Sequence, residues 1–154
     1  MKARAIALTV ALCFVAGTLC FASDPNIGSW KLNEAKSKFA PRSSKNITVV
    51  YEAVGDKVKV TVDGIDGAGK PTHNEWTGTY DGKDYPVTGD PTSDARSLKK
   101  VDDHTLVLTV KNDGKVTITG RIVVSADGKT RTVSTSGTDS MGMMMKSVAA
   151  YDKQ

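Results

Sequence analysis

Hydrophobic and polar residues alternate with a period of two along most of the chain. Between residues 57 and 62, Val58, Val60 and Val62 occupy every second position, with lysine or threonine between them. The segment 104–111 repeats this pattern with two leucines and a valine. Alternation of β-branched and polar residues is typical of a strand with one face toward a core. The pattern therefore predicts half-buried antiparallel strands.

Turn residues divide this pattern into about nine or ten strands. Several turns contain glycine next to aspartate, as at Asp81-Gly82 and Asp127-Gly128, and such pairs supply the positive φ angles of tight hairpins. One short helical candidate runs from Asn33 to Phe39, where Pro41 would stop it. The predicted strands are one around Trp30 and the segments 46–54, 57–62, 71–80, 83–87, 95–101, 104–111, 115–125, 129–137 and 146–152.

Short connections between these strands indicate their order in the sheet. Strands joined by short loops lie side by side, and a long meander leaves two unpaired edges unless it closes on itself. The sequence therefore predicts an all-β, antiparallel up-and-down barrel of about eight to ten strands. A β-sandwich is the alternative. It would usually contain longer crossovers, and the only candidate is the brief segment from Thr88 to Asp94.

The first 22 residues have the features of a secretory signal peptide. Lys2 and Arg4 precede an apolar run, and Cys20-Phe21-Ala22 places small residues where a signal peptidase cleaves. A membrane anchor is the alternative, but it needs about 20 apolar residues. The sequence predicts cleavage after Ala22, an exported (periplasmic or secreted) protein, and one domain over residues 23–154 without a further transmembrane segment.

Charge and cysteine content change this picture only slightly. Both cysteines, Cys13 and Cys20, lie in the leader, so a packed core without disulfides must stabilise the rest. Removal of the leader lowers the formal net charge from +4 to +2, and no basic block remains. We therefore expect no nucleic-acid partner. The oligomeric state stays open.

The segment Gly28-Ser29-Trp30-Lys31-Leu32 resembles the opening strand of the calycin superfamily, the lipocalins and fatty-acid-binding proteins. The end of the chain, Ala150-Tyr151-Asp152-Lys153, resembles the closing strand of the fatty-acid-binding branch, and the whole layout is similar to small exported bacterial lipocalin-like proteins. The resemblance implies that Trp30 lies across the closed end of the barrel and that Gly28 lets the chain pass close by. Alternatively, Trp30 is an ordinary core residue.

One feature of the fatty-acid-binding branch is missing. That branch commonly holds the ligand carboxylate with an arginine two residues before a tyrosine in the last strand, whereas Ala149 occupies this position before Tyr151. The resemblance therefore implies a small apolar or amphipathic ligand without this carboxylate clamp.

The alternation also predicts which side chains face the barrel interior, where a barrel of about eight strands can hold one small ligand. Arg96 shares a face with Leu98 and is either an interior polar group or a solvated rim residue. The alternative function is a barrel with a filled core that acts as an envelope-associated module. The predicted inward residues are Tyr51, Val60, Trp76, Tyr80, Leu98, Leu106, Leu108, Ile118, Ile122, Met143 and Met145, with Arg96 as a candidate ligand-binding residue if its face is interior.

Motifs for catalysis or cofactor binding are not found in the sequence. It has no nucleophile elbow and no phosphate-binding glycine loop, and its two histidines, His73 and His104, fall on separate predicted strands. Many carboxylates fall in predicted turns, where aspartate accepts backbone hydrogen bonds. We therefore expect a non-enzymatic protein without a cofactor.

The run from Met141 to Met145 contains four methionines in five residues. Alternation places Met143 and Met145 on one face, where flexible thioethers would line the barrel. Cu(I) binding is the alternative, because soft thioether sulfur suits Cu(I). Alternation points Met144 away from the other two, so a three-methionine site would require a loop.

Overall fold

Ten antiparallel strands close into a barrel in residues 24–138 and 141–154, the part of the chain that the computed structural model describes. Each strand pairs with its neighbours in sequence, and β10 pairs with β1. The predicted closed up-and-down barrel is confirmed, and the sandwich is excluded. The leader and its cleavage site lie outside the described residues. The strands are β1 Gly28–Leu32, β2 Lys45–Val54, β3 Lys57–Ile65, β4 Pro71–Gly78, β5 Tyr85–Thr88, β6 Ala95–Asp102, β7 Thr105–Asn112, β8 Lys115–Val124, β9 Thr130–Thr138 and β10 Met144–Lys153.

The barrel closes along a short seam between β1 and β10. Trp30 lies opposite Lys153, and Leu32 lies opposite Tyr151. Just beyond β1, the backbone N–H of Asn33 donates to the carbonyl oxygen of Ala150 at 2.8 Å. The seam removes the two edges that an open meander would expose.

The helical candidate is present only as a single 3₁₀ turn, Glu34–Lys36, shorter than the predicted segment. Asn33 caps it by accepting a hydrogen bond from the backbone N–H of Lys36 at 3.2 Å. Two residues later, the backbones of Lys38 and Val148 exchange hydrogen bonds of 2.7 Å. Pairing with β10 thus ends the helical turn before Pro41 is reached.

The strand predicted over residues 71–80 ends earlier, at Gly78. The rings of Trp76 and Tyr85 meet edge to face with their centroids 5.8 Å apart. A Cβ atom on Gly78 would lie 2.6 Å from each of these two side chains, so only glycine fits there. Beyond Gly78, the carbonyl oxygen of Tyr80 accepts a hydrogen bond from the backbone N–H of Lys100 at 3.1 Å, so Tyr80 lies in the connection to β5 rather than beside Trp76 on one strand face.

The two ends of the barrel differ in the length of their connections. The end where β1 begins and β10 finishes, which we call the closed end, carries the two-residue turns from β2 to β3 and from β6 to β7, together with the connections 79–84 and 125–129. The opposite, open end carries the longest connection, 33–44 between β1 and β2, together with 89–94 between β5 and β6 and the two-residue turn between β7 and β8. The buried core contains Trp30, Trp76, Leu98 and Leu106.

Candidate ligand-binding cavity

A cavity of about 860 Å³ occupies the interior of the barrel and reaches the open end. Small-molecule sites commonly have volumes of about 300–1,000 Å³ and mostly apolar walls with a few polar groups. Phe39, Arg42, Pro91 and Thr92 border the cavity at the open end. Its apolar wall consists of Val49, Val60, Val62, Leu98, Leu108, Val110, Ile118, Ile122, Val133 and Ala149.

The structure brings most of the predicted inward residues to this cavity. Those that line it are Tyr51, Val60, Arg96, Leu98, Leu108, Ile118, Ile122 and Met145. Their participation in ligand binding stays a prediction.

Four other predicted residues lie elsewhere. Trp76 and Leu106 are buried in the core but are not among the lining residues, and Tyr80 lies in the connection after β4. Met143 precedes β10 and is 58% exposed, because Gly142, with φ 78°, turns the chain there and the strand begins only at Met144.

Trp30 fills the closed end of the barrel and has no exposed surface. Its Nε1–H donates to the carbonyl oxygen of Asn26 at 2.8 Å. Two residues before it, Gly28 has φ 125°, and a Cβ atom there would lie 2.8 Å from the Cε atom of Lys153. The ammonium group of Lys153 lies 5.1 Å from the centroid of the Trp30 ring. Gly28 thus permits the terminal residues of β10 to approach the tryptophan.

Arg131 lines the cavity beside this tryptophan and is only 2% exposed. Its guanidinium carbon lies 4.8 Å from the ring centroid of Trp30 and 4.9 Å from those of Tyr51 and Tyr151. We call these four residues the aromatic cage. Each desolvated cation–π contact is worth about 2 kcal/mol, whereas burial of an ion costs several kcal/mol. The three rings therefore offset much of the free-energy cost of burying the charge of Arg131.

The rings stabilise the charge of Arg131, but two of its nitrogen atoms have no hydrogen-bond acceptor. Both Nε and Nη1 are buried and have no hydrogen-bond partner. Among the described residues, no carboxylate lies within 4.0 Å of this guanidinium. Unpaired buried donors are rare in native proteins and usually indicate a missing partner such as a water or an ion.

Sequence reasoning missed Arg131, although a signal for it exists. Arg131 precedes Val133 by two residues in β9, so period-two alternation places both on one face. Val133 and Thr135 line the same cavity. An arginine in the inward phase of a strand is the feature that would have identified it.

Arg96 supplies a second guanidinium to the cavity. Its Nη2 donates to Oδ1 of Asn74 at 3.1 Å. Burial lowers the pKa of Arg96, and interactions with Tyr51 and Asp90 oppose this effect. The structure thus places Arg96 on the cavity wall, half-buried, which is the interior alternative of the sequence prediction.

Asp90 is a carboxylate on the cavity wall that accepts hydrogen bonds from residues of its own loop. Burial alone would raise its pKa, but hydrogen bonds from Ser93 and Thr92 lower it overall. The Ser93 hydroxyl donates at 2.6 Å and the Thr92 backbone N–H at 2.8 Å. Asp90 is therefore ionised, and its carboxylate oxygens already accept hydrogen bonds from these donors.

Two tyrosines have raised pKa values: Tyr151, which belongs to the aromatic cage, and the half-buried Tyr80. Burial raises the pKa of Tyr151 to about 12, and its hydroxyl donates to the carbonyl oxygen of Asn46 at 3.0 Å. Burial also raises the pKa of Tyr80, and the nearby Tyr51 and Asp24 add to this effect. Neither phenol is ionised at neutral pH.

The described residues contain no group of three or more His, Cys, Asp or Glu side chains that would hold a metal ion. His73 is exposed, with its Nδ1 2.6 Å from Oδ1 of Asp63. Met141 and Met144 lie at the open end and are 78% and 69% exposed. The copper alternative for this run stays a prediction. Over the same ranges, no helix has the length and hydropathy needed to span a bilayer.

Three solved structures share the barrel layout at low sequence identity. No protein-family model matches the chain, and no curated protein matches it. A redesigned beta barrel, b11L5F_LGL, is 14% identical, with 88% of this chain and 97% of that chain covered and a TM-score of 0.48. EF1p2_mFAP2b bound to DFHBI is 11% identical, with 86% and 97% covered and a TM-score of 0.49. The redesigned barrel mFAP1 bound to DFHBI is 14% identical, with 84% and 95% covered and a TM-score of 0.47.

Proposed function

We propose that this protein is an exported, lipocalin-like barrel that binds a small apolar or amphipathic molecule in its interior. The cavity of about 860 Å³, which reaches the open end, is the observation that carries the proposal. Ligand sites combine an apolar wall with a few placed polar groups. Here, the aliphatic residues of β3 and β6–β8 provide the wall, and Asn74, Arg96 and Arg131 provide polar groups.

The alternative, a barrel with a filled core that acts as an envelope-associated module, is less well supported. A filled barrel has side chains packed to the density of a crystal and leaves few voids larger than a water molecule. The interior described here holds a far larger space.

Export is the part of the proposal that rests on the leader alone. Cleavage after Ala22 predicts that the protein isolated from its host begins at Ser23, which N-terminal sequencing would detect. Met1 intact on the folded protein would contradict both the leader assignment and the compartment.

Ligand binding is tested by filling the cavity. Leu108 lines the cavity in β7, whereas its neighbour Val107 lies on the outer face of the same strand. Leu108→Trp should weaken the binding of an apolar fluorescent probe by at least about tenfold. The matched variant Val107→Trp adds the same ring outside the barrel and should leave probe affinity unchanged.

Native mass spectrometry of protein purified from its host gives an independent measurement. We expect a small molecule to be retained, which would identify the natural ligand. No retained molecule and no probe binding would refute the proposal. Equal effects of the two tryptophan variants would also refute it, because binding would then not take place in the barrel interior.

A further inference from the structure

We propose that Arg131 forms an anion-binding site at the floor of the cavity, so that the ligand is an amphipathic anion bound with its head group inward. This inference rests on the proposed function and adds the chemical class and orientation of the ligand. It is carried by a buried cation that lines the cavity and has no carboxylate within 4.0 Å among the described residues.

The aromatic cage stabilises the charge of Arg131 but does not complete its hydrogen bonding. Trp30, Tyr51 and Tyr151 approach the guanidinium carbon within 4.9 Å with their ring faces. Guanidinium N–H groups point outward in the plane of the group and match the two oxygens of a carboxylate. Nε and Nη1 have neither an acceptor nor accessible surface. Arg131 nevertheless lines the cavity, so an oxygen anion on the ligand would bind the edge of the guanidinium that faces the cavity.

The charges around the cavity favour an anion. Three arginines, Arg42, Arg96 and Arg131, line it, against the single carboxylate of Asp90. That carboxylate accepts from Thr92 and Ser93 and lies in no ion pair with an arginine among the described residues. A cleft with one excess sign of charge and low-dielectric walls attracts ligands of the opposite sign.

The position of Arg131 sets the orientation of the ligand. Arg131 is the second residue of β9, at the closed end, opposite Tyr151 near the end of β10. Val110, Ile118 and Met145 line the cavity toward the open end. An apolar tail that extends from a head group at Arg131 would therefore run along these side chains toward the mouth.

The test compares dodecanoate with 1-dodecanol, which share an apolar chain and differ in charge. By isothermal titration calorimetry, the wild-type protein should bind dodecanoate at least about tenfold more tightly than the alcohol. Arg131→Met should reduce this preference to less than about threefold while it retains affinity for the alcohol. The control Arg121→Met removes an exposed arginine on the outer face of β8 and should keep the wild-type preference.

A measurement on the wild type alone covers the case in which Arg131→Met fails to fold. With ¹³C-carboxyl-labelled dodecanoate, the NMR shift of the bound carboxyl should titrate at a lower pH than that of the free acid, because a nearby cation favours the ionised form. A bound carboxyl that titrates at or above the free value would overturn the inference.

The remaining outcomes separate the two proposals. Equal wild-type affinity for dodecanoate and dodecanol would overturn the anion site and leave the proposed function standing. Binding of neither compound, with no molecule retained in native mass spectrometry, would refute the proposed function itself. Acetate that binds as tightly as dodecanoate would overturn the amphipathic ligand, because the site would then accept a free anion.

Discussion

Replacement of Trp30 by alanine tests how the closed end contributes to stability. A fully buried tryptophan contributes about 150–250 Å² of contact area, worth about 4–6 kcal/mol at about 25 cal/mol per Å². This area is an upper bound because unfolded chains are partly compact. The variant also removes the indole donor to Asn26 and one ring from the aromatic cage. We therefore expect the free energy of unfolding to fall by about 3–5 kcal/mol, as for other large aromatic deletions.

Urea titration followed by circular dichroism and by the fluorescence of Trp76, the other tryptophan of the chain, measures this loss. Trp30→Phe is the matched control. It keeps an aromatic face toward Arg131 and loses the hydrogen bond, so we expect a decrease of about 1–2 kcal/mol. A decrease below about 1 kcal/mol for the alanine variant, the size typical of a surface change, would refute the role of Trp30 at the closed end.

Three further predictions concern single residues. Gly28→Ala should lower the free energy of unfolding by about 1–3 kcal/mol in urea titration, because φ is 125° there; an unchanged midpoint would contradict this. Burial raises the pKa of Tyr151 to about 12, whereas the unfolded value is about 10. The unfolded state therefore loses its proton first, so stability should fall as pH rises above about 10, and Tyr151→Phe should reduce this slope in unfolding measured at about pH 9 and about pH 11. Met145→Ser should weaken the binding of the apolar probe by a few-fold, whereas Met144→Ser should not, because the Met144 side chain is 69% exposed. A Cu(I) titration in which Met144→Ser abolishes tight binding would instead favour copper.

The fold was largely predictable because the residues that specify it act locally. Strict alternation around Val60 fixes both strand and face, and the turn glycines fix the hairpins, as at Gly55 and Gly128, where φ is 61° and 71°. The predicted element bounds were wrong where contacts between residues distant in sequence determine the local structure. Backbone pairing of Lys38 with Val148 shortened the predicted helix, and backbone pairing of Tyr80 with Lys100 in β6 ended β4 early.

The cavity wall was more predictable than its polar floor. Leu98, Leu108 and Ile122 follow the inward phase of their strands and line the cavity as that phase predicts. The role of Arg131 depends on rings from β1, β2 and β10 that the closed barrel brings together. No local sequence pattern predicts these contacts between strands, and an analysis based on period-two alternation tends to place charged residues on the solvent-exposed face.

The seam between β1 and β10 also governs how the protein reaches its folded state. Trp30 pairs with Lys153, so the first strand has no partner on that side until the last strand is available. Contacts between residues so far apart in sequence slow folding, because the loop entropy is lost before the contact forms. Until then, β1 presents a bare strand edge, and partly folded chains with such edges aggregate. Closure of the ring thus requires the whole length of the chain, and aggregation competes with folding until the last strand has paired.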